Sequence, residues 1–578
     1  MFKIFNSDLK IYILITIFGS LLYIPFIGNI PLFDWDEINF AECAREMLLS
    51  KNYSDVQLYF QPFWEKPPLF IWLQALSMNL FGINEFAARF PNALCGVITL
   101  LILYRVGKIS NDVKFGMTWV FVYASTLLPH LFFKSGIIDP WFNLFIFLAV
   151  FNLIKHTYNP IGKDGYKTSI SAGIFLGLAL LTKGPVALLL VGLSVIIFFI
   201  YNKFKKISKF KYLLAFAISF LATGLSWFIV ELIKGNGHVI VEFINYQIRL
   251  LKTEDSDHGG PFIYHFVVLL FGCFPSSLFF LLAFKKQHSD STFQLHIKHW
   301  MFVLFWVVLL LFSIVQTKII HYSSLCYFPL TYLATYSITK LKLGLVKWTI
   351  ALNVLAYLVL FIFGIAFIGI GLFPYLKDLL INSNLIDDVF AIENLKAKVS
   401  WSGFEFLIGL FFIVLGFISI FNINNRKYKF IHVLFACSLI TIEALLMFIV
   451  PKIEKYTQHS AINFYKICSK NNYSIESLRF KSYGTLFYGR FQLENKNDEN
   501  FLKYTKEHEE ENKKLGLNIK FSFSRFYTDY LLGGKITKPA CFVSKINEFE
   551  NLKQNYPSLK VLYQENGFCY FVRLPNSN

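Results

Sequence analysis

The sequence predicts a mainly α-helical polytopic membrane protein with a small α/β segment at its C-terminal end. Three observations carry that prediction. Of 578 residues, 55% are hydrophobic and 19% aromatic, with Phe alone numbering 67. Charged residues make up only 16%, whereas soluble domains hold about 25%. The apolar residues also gather into runs close to the roughly 20 residues needed to cross a bilayer. This much apolar surface cannot be hidden inside one water-soluble globule. Disorder, a disulfide-stapled secreted scaffold and an ordinary soluble enzyme are excluded. The eight Cys show no paired CxxC spacing, so no zinc ribbon or disulfide framework follows.

Candidate spans fall near 10–29, 90–108, 115–132, 137–154, 169–182, 185–201, 212–233, 263–284, 299–316, 322–339, 348–373, 403–421 and 430–450, thirteen in all. The first has Lys3 and Lys10 before it and no small-residue cleavage site after it, so it reads as a retained helix. Lys and Arg outnumber Asp and Glu by 55 to 37. In a soluble protein that excess would suggest nucleic acid. Here it concentrates in alternate loops (Arg105/Lys108/Lys114, Lys203/Lys209/Lys211, Arg426/Lys427/Lys429) and marks their cytoplasmic side, so no nucleic-acid partner is expected. The opposite loops hold Asp34, Asp36, Glu37, Glu42, Glu46, Glu65, Glu85 and Asp255. This asymmetry places the N-terminus inside and the C-terminus outside a bacterial inner membrane.

The first external segment, about 30–89, is too long for a connector. Asp36–Ser50 reads as an amphipathic helix, with Phe40, Cys43, Ala44, Met47 and Leu48 on one face and Glu42, Arg45 and Glu46 away from it. Pro67-Pro68 opens a second run, Leu69–Leu80, closed by Gly82. Both are too short to cross and are expected in the interface. The expected division is a transmembrane domain over 1–450 and a soluble periplasmic α/β domain over 451–578. In the latter, Ala461–Lys470 and Asn547–Tyr556 look helical. Ser477–Ser482, Cys541–Lys545 and Lys560–Leu574 look like strands, the last a hairpin turning at Asn566-Gly567. Lys506–Lys514 reads as a solvated helix face or loop.

Polar groups beside a membrane are costly, so those kept there are candidate functional residues. Asp36-Glu37 directly follows the first span, and a carboxylate there can serve as a general base. The competing role for Asp36 is N-cap of the next helix. Phe63-Trp64-Glu65-Lys66-Pro67-Pro68 sets an ion-pair-capable Glu-Lys among interface aromatics. Lys66 suits a phosphate and Glu65 its orientation or a metal; an interfacial anchor is the alternative. Asp139 stands at the start of the fourth span. Lys183, Arg249, Lys252, His258, Lys318 and His321-Tyr322 supply donors for an anion, although snorkelling accounts for many such Lys. Glu231 reads as solvated, and Glu443 has no partner nearby in sequence. External carboxylates and cations over a lipid-accessible bundle suit a reaction whose leaving group is a lipid phosphate. No GxxxxGK[ST] or GxGxxG lies in a strand–helix context, which argues against nucleotide use.

Trp35-Asp36-Glu37-Ile38-Asn39-Phe40-Ala41-Glu42 with Arg45-Glu46-Met47-Leu48 resembles the first-loop motif of the integral-membrane glycosyltransferases of the C-type fold. More narrowly, it is similar to the bacterial branch that includes the lipid A aminoarabinose transferase, related to the protein O-mannosyltransferases. Phe63–Leu69, Asn84–Arg89, Leu181–Pro185 and Lys318–Tyr322 match further signatures in the same order. The resemblance covers about residues 1–340 and implies inverting transfer from a polyprenyl-phosphate sugar to a periplasmic lipid, glycan or protein hydroxyl. It implies Asp36 as catalytic base and Asp139 as a second acidic catalytic residue. It also implies a donor-phosphate site containing Lys66, Tyr322, Lys318 and Arg249, with Glu37, Glu65 and Lys183 nearby. If a divalent cation binds, Glu65 and His258 are the implied pair. A monomer is expected, surrounded by membrane lipids. Asn39, Phe40 and Phe63 stand where the aminoarabinose transferases usually have Arg, Tyr and Tyr, which leaves sugar and acceptor open. The alternatives are a transporter or flippase of a lipid-linked sugar, which would place its ionisable groups near the midplane, and a structural scaffold.

Overall fold

The computed structural model describes residues 8–159, 162–204, 208–252, 259–285, 290–383, 385–514 and 522–575. Helix α1 (Asp8–Tyr23) leads into α2 (Asp36–Ser50), a two-residue ribbon β1 (Gln57–Leu58) with β2 (Gln61–Pro62), and α3 (Leu69–Phe81). The bundle continues with α4 (Glu85–Ser110), α5 (Val113–Ala124), α6 (Leu127–Phe132), α7 (Asp139–Tyr158), α8 (Gly162–Lys183) and α9 (Val186–Tyr201). Next come α10 (Phe210–Gly224), α11 (Ser226–Ile233), α12 (Gly237–Lys252), α13 (Tyr264–Gly272), α14 (Ser276–Phe280), α15 (Thr292–Ile314) and α16 (Tyr327–Lys342). The last of this part are α17 (Ile350–Asn382), α18 (Val389–Leu395), α19 (Phe406–Asn424) and α20 (Phe430–Ala444).

Every expected span falls on one or more helices, although the first ends at Tyr23 and the span over 263–284 is broken before Ser276. Not every helix meets the demands of a lipid-facing span. Among the described residues five helices are long and apolar enough to cross alone. Two more candidates are bent pairs, α10–α11 at 50° and α13 with the 276–284 segment at 110°, which gives up to seven by length and composition. The others are short or carry polar side chains. Their surroundings explain why: α16 is buried along most of its length, so Thr331 and Thr335 bond to backbone carbonyls inside the bundle and not to lipid. Close helix approach needs small residues at the contact. A Cβ on Gly177 of α8 would lie 2.8 Å from the backbone N of Gly224 in α10, so only glycine permits that crossing.

The C-terminal segment forms a four-stranded sheet, order β3-β4-β6-β5, from β3 (Ser474–Leu478), β4 (Ala540–Lys545), β5 (Lys560–Glu565) and β6 (Phe568–Arg573). β3 runs parallel to β4, and the other pairs are antiparallel. The hairpin turns at Asn566 and Gly567, both at positive φ (49° and 75°), as the sequence predicts. β3 starts earlier than the expected 477–482 and ends before Arg479, whose φ of 62° breaks the strand. The helices come close to expectation at His459–Lys470 and Phe549–Asn555, and the charged stretch is the end of a helix over Glu499–Lys514.

One apolar core joins this sheet to the first loop: Ile38, Ala44 and Met47 of α2 and Ile71 and Met78 of α3 cluster with Phe542 and Tyr570. That contact overturns the amphipathic reading of α2. Glu42, Arg45 and Glu46 do not face water but are fully covered, because the C-terminal segment packs over them. Arg45 therefore holds Glu42 through two bonds of 2.7 and 2.6 Å and donates to the Phe491 carbonyl, while Phe60 N donates to Glu46 at 2.6 Å. One further acid departs from expectation, and a second finds its partners at a distance that the local sequence does not reveal. Glu231 is buried and accepts from Asn236 at 2.9 Å. Glu443 has partners far off in sequence, His130 and Lys134, each at 3.0 Å.

Glu476 on β3 is buried and accepts a bond from the Tyr59 hydroxyl at 3.2 Å. Burial raises its carboxyl to about 8, with Tyr59 and the Ser477 backbone pulling the other way. The folded protein thus holds a proton that the unfolded chain releases near its ordinary 4.5. This contribution to stability is complete below about 4.5 and is lost as the pH rises to about 8. Glu476→Gln is expected to flatten the decline of the thermal midpoint across that window, read by unfolding in detergent at a series of pH values.

Candidate active site

The site is assembled at one end of the bundle by loops that several buried polar contacts hold together. Arg89 of α4 pairs with Glu37 through two bonds of 2.7 Å, and it donates to the carbonyls of Ile27, Ile30 and Pro31. Glu37 also accepts from Phe33 N at 2.8 Å and Gly136 N at 2.5 Å. Asn92, one turn further along α4, donates to the carbonyls of Ser135 and Ile137, both at 2.6 Å. These contacts fix the chain leading into α2 against the chain leading into α7. Asn143 of α7 donates to Ser324 at 2.8 Å, which in turn fixes the 3₁₀ turn Ile320–Cys326.

Asp36 is the first residue of α2 and is about half exposed, with a side-chain accessibility of 49%. It is not the N-cap that its spacing suggested. Trp35 holds that position at φ 84° and ψ −109°, with no side-chain capping bond. Such backbone is costly for a bulky L-residue and persists only where surrounding contacts hold it. Here Asp34 accepts from Trp35 N at 2.9 Å and Tyr483 N at 3.0 Å, and the Trp35 ring packs edge-on against Tyr483.

His321 lies between two carboxylates. Its Nε2 is 3.9 Å from Asp36 Oδ2 and 3.9 Å from Asp139 Oδ2. Asp139, buried at the start of α7, gives its other oxygen to Lys183 Nζ at 2.6 Å, and Oδ2 has no hydrogen-bond partner. Lys183 also stands 5.2 Å over the Tyr322 ring. Burial lowers the His321 pKa below its ordinary value. Asp139 and Asp36 raise it, while Lys183 and Lys66 lower it. The turn carrying Lys183 requires Gly184, at φ 99°, where a Cβ would meet the Phe243 ring of α12 at 2.8 Å. On the α12 side, Lys66 Nζ lies 5.2 Å and the Arg249 guanidinium 5.1 Å from the ring centre of Tyr246.

The structure thus brings Asp36, Asp139, Lys183, Tyr322 and the Lys66 charge to one place, with Arg249 and Lys66 sharing Tyr246. Glu65 lies beside Lys66, its carbonyl 3.5 Å from Gln247 Nε2. Glu37 and Lys318 are placed differently. Glu37 is consumed by Arg89 and two backbone N–H groups, so it positions its neighbour and does not face the cluster. Lys318 donates to the carbonyls of Phe312, Ser313 and Val315 at the end of α15, which uses all three of its N–H donors. His258 lies outside the described residues. Among those described, no group of three or more His, Cys, Asp and Glu could hold a metal ion. The residue that sequence reasoning underweighted is His321. Its signal was present in the Lys318–Tyr322 motif, but its pairing with Asp36 and Asp139 spans most of the bundle and has no local signature.

The fold is that of a membrane protein of known structure. The crystal structure of ArnT from Cupriavidus metallidurans bound to undecaprenyl phosphate superposes with a TM-score of 0.70 over 98% of each chain, at 15% identity. Its apo form gives 0.71 over the same shares, at 14% identity. A family model described as dolichyl-phosphate-mannose-protein mannosyltransferase matches residues 65–227. The undecaprenyl phosphate-alpha-4-amino-4-deoxy-L-arabinose arabinosyl transferase of Wigglesworthia glossinidia brevipalpis is 26% identical over 60% of this chain and 62% of its own. The corresponding transferase of Enterobacter sp. (strain 638) is 27% identical over 57% and 60%. An uncharacterized protein of Aquifex aeolicus is 24% identical over 72% of this chain and 80% of its own. The chain therefore has the fold of ArnT over nearly its whole length. Its sequence match to the curated transferases spans about three fifths of their length.

Arg89→Leu leaves Glu37 buried and unpaired, a change that typically costs about 3–5 kcal/mol. A large drop in the unfolding midpoint in detergent is expected, whereas Asp36→Asn, at a half-exposed position, should leave that midpoint in place.

Proposed function

We propose that this chain is a glycosyltransferase that takes a sugar from a polyprenyl-phosphate donor and places it on the hydroxyl of an acceptor at the outer face of the bacterial inner membrane. The observation that carries the reading is the placement of a half-exposed carboxylate, Asp36, 3.9 Å from an imidazole that also faces the Lys183-paired Asp139. The donor class is supported by the activity for which the curated relatives are named and by the undecaprenyl phosphate bound to ArnT in its crystal structure. The Lys/Arg asymmetry of the loops supports an outer-face site, with thirteen spans, the N-terminus inside and residues 451–578 outside.

In this mechanism Asp36 accepts the proton of the acceptor hydroxyl. The freed oxygen forms its bond to the anomeric carbon from the face opposite the phosphate, as the carbon–oxygen bond to phosphate breaks. The configuration inverts, and the bond electrons leave on polyprenyl phosphate. Lys66 and Arg249, gathered on Tyr246, together with Lys183 and Tyr322, offer positive charge and a hydroxyl to the phosphate as its charge grows. Asp139 holds Lys183 in place. His321, adjoining both acids, positions Asp36 and responds to the same charges.

Asp36→Asn is expected to lower transfer at least about 100-fold, in line with the loss of a general base, in a protein that still extracts and folds normally. Full activity in that variant removes the base assignment. Lys66→Ala should raise the KM for donor more than that for acceptor, and an unchanged donor KM counts against the phosphate role. The assay is product formation by purified protein with a polyprenyl-phosphate sugar.

A further inference from the structure

A cavity of about 650 Å³ opens at the end of α2 farthest from Asp36, between that helix, the end of α3 and the C-terminal segment. Three of its lining residues, Arg45, Lys51 and Arg490, are cationic, and none of the described lining residues is Asp or Glu. Arg45 is buried, and its Nε and Nη2 are used by Glu42 and the Phe491 carbonyl. Its Nη1, which carries two N–H donors, has no partner among the described residues. Arg490 is half-buried and spends one of its five donors, from Nη2 to the Ile83 carbonyl at 3.0 Å. The acids that act on Arg490, Glu42 and Glu85, pair instead with Arg45 and Lys466. Lys51, exposed just past the end of α2, has no carboxylate partner among the described residues.

Cations gathered in a partly dry space repel one another unless an anion comes between them. Burial and the Arg45 charge lower the Arg490 pKa, while Glu42, Glu85 and Tyr488 raise it. Asn79, Gln492 and Tyr53 add neutral donors around the same space. Guanidinium forks beside an ammonium suit the oxygens of a phosphate group. The rim distinguishes a free phosphate from one carried on a lipid. Leu49 of the lining is 42% exposed. Leu80 and Phe81, which stand in sequence between the lining residues Asn79 and Gly82, are 67% and 45% exposed. On helices expected in the membrane interface, such side chains are stabilised by contact with acyl chains. A cationic pocket beside an exposed apolar rim matches the two halves of an anionic lipid.

We propose that this cavity binds the phosphate head of an anionic lipid of the outer leaflet, at a site separate from the reaction centre. The phosphate oxygens accept from Arg45 Nη1, Arg490 and Lys51, and the acyl chains lie along Leu49, Leu80 and Phe81. A lipid held in this way ties together the end of α2, the end of α3 at Asn79 and the C-terminal segment at Arg490 and Gln492. It braces, from its far end, the helix that begins at Asp36. The inference goes beyond the transfer reading and does not depend on it, because no lining residue belongs to the cluster around Asp36, Asp139 and Lys66.

The test uses the full chain in phosphatidylcholine nanodiscs doped with a trace of photoactivatable lipid, its diazirine near the top of one acyl chain. The probe is made in a phosphatidylglycerol and a phosphatidylcholine form. Peptides carrying Leu49 or Leu80-Phe81 are expected to take roughly tenfold more label from the phosphatidylglycerol form. Peptides carrying Leu407 and Leu410, exposed on α19, should take equal amounts from both. Lys51→Gln combined with Arg490→Gln should remove the excess. If that variant does not fold, Lys51→Gln alone, at an exposed position, should lower the excess about threefold or more. Equal labelling by the two probes, or an excess that a folded variant keeps, overturns the inference. In a second measurement, phosphatidylglycerol added to lipid-depleted protein in detergent should raise the unfolding midpoint of wild type more than that of the variant. No rise, or a rise that inorganic phosphate alone reproduces, also overturns it, the latter by assigning the pocket to a soluble anion.

Discussion

The structure around the site depends on one buried ion pair, Arg89 with Glu37. Removing two charges from water is expensive, and their attraction offsets that cost only when every remaining donor and acceptor is used. Here nearly all are used. The guanidinium meets both carboxylate oxygens and three backbone carbonyls, and the carboxylate also takes two backbone N–H groups. Each of those backbone groups belongs to an irregular segment at the end of an apolar bundle, where an unpaired peptide group is costly. The pair thus satisfies the connections into α2 and α7 and fixes their separation. The backbone at Trp35 is tolerated because the chain on either side of it is anchored.

Adjacent residues of one motif consequently divide their labour. Glu37 is buried and saturated, while Asp36, one residue earlier, is half exposed and in contact with His321. The helical geometry that begins at Asp36 turns the two side chains apart. The same principle separates Lys183, which pairs with Asp139 and keeps a face on Tyr322, from Lys318, whose charge is absorbed by the end of a helix. Proximity in a charged motif therefore does not assign function. The count of satisfied donors and acceptors separates the residues that hold the site from those able to meet a substrate.

Much of this was legible in the sequence. The helical segments follow from apolar runs, the bounds of α2 coincide with the amphipathic reading, and the Asn566-Gly567 hairpin follows from its turn chemistry. The burial of Glu42, Arg45 and Glu46 was not legible, because periodicity identifies a helix's apolar face but not what later covers its polar one. That cover comes from residues more than 400 positions further on. Glu443 had partners 309 positions away in Lys134 and on α6 in His130, which no local pattern could indicate. Up to seven helices or bent pairs meet a simple span criterion among the described residues, against thirteen expected spans, for a related reason. A helix enclosed by other helices is selected for packing and hydrogen bonding, not for contact with lipid.

The proposed inverting displacement adds a constraint that connects these observations. The acceptor oxygen and the leaving phosphate must lie on opposite sides of the anomeric carbon, so a base and a set of cations serve one reaction only if the space between them stays open to the sugar and their separation is held. The N-terminal turn of α2 meets that requirement under the proposed reaction. The bundle side presents Asp36 to His321, which also faces the Lys183-paired Asp139, and the other side, at Asp34 and Ile38, borders an apolar cavity beneath the C-terminal sheet. The turn is held from both directions, by Arg89 in the bundle and by Gln458 and Tyr483 in the C-terminal segment. A loop anchored on one side only could shift as either substrate entered and lose alignment with the other. Under the proposed reaction, the core that the C-terminal segment shares with α2 and α3 holds Asp36 in place against the bundle.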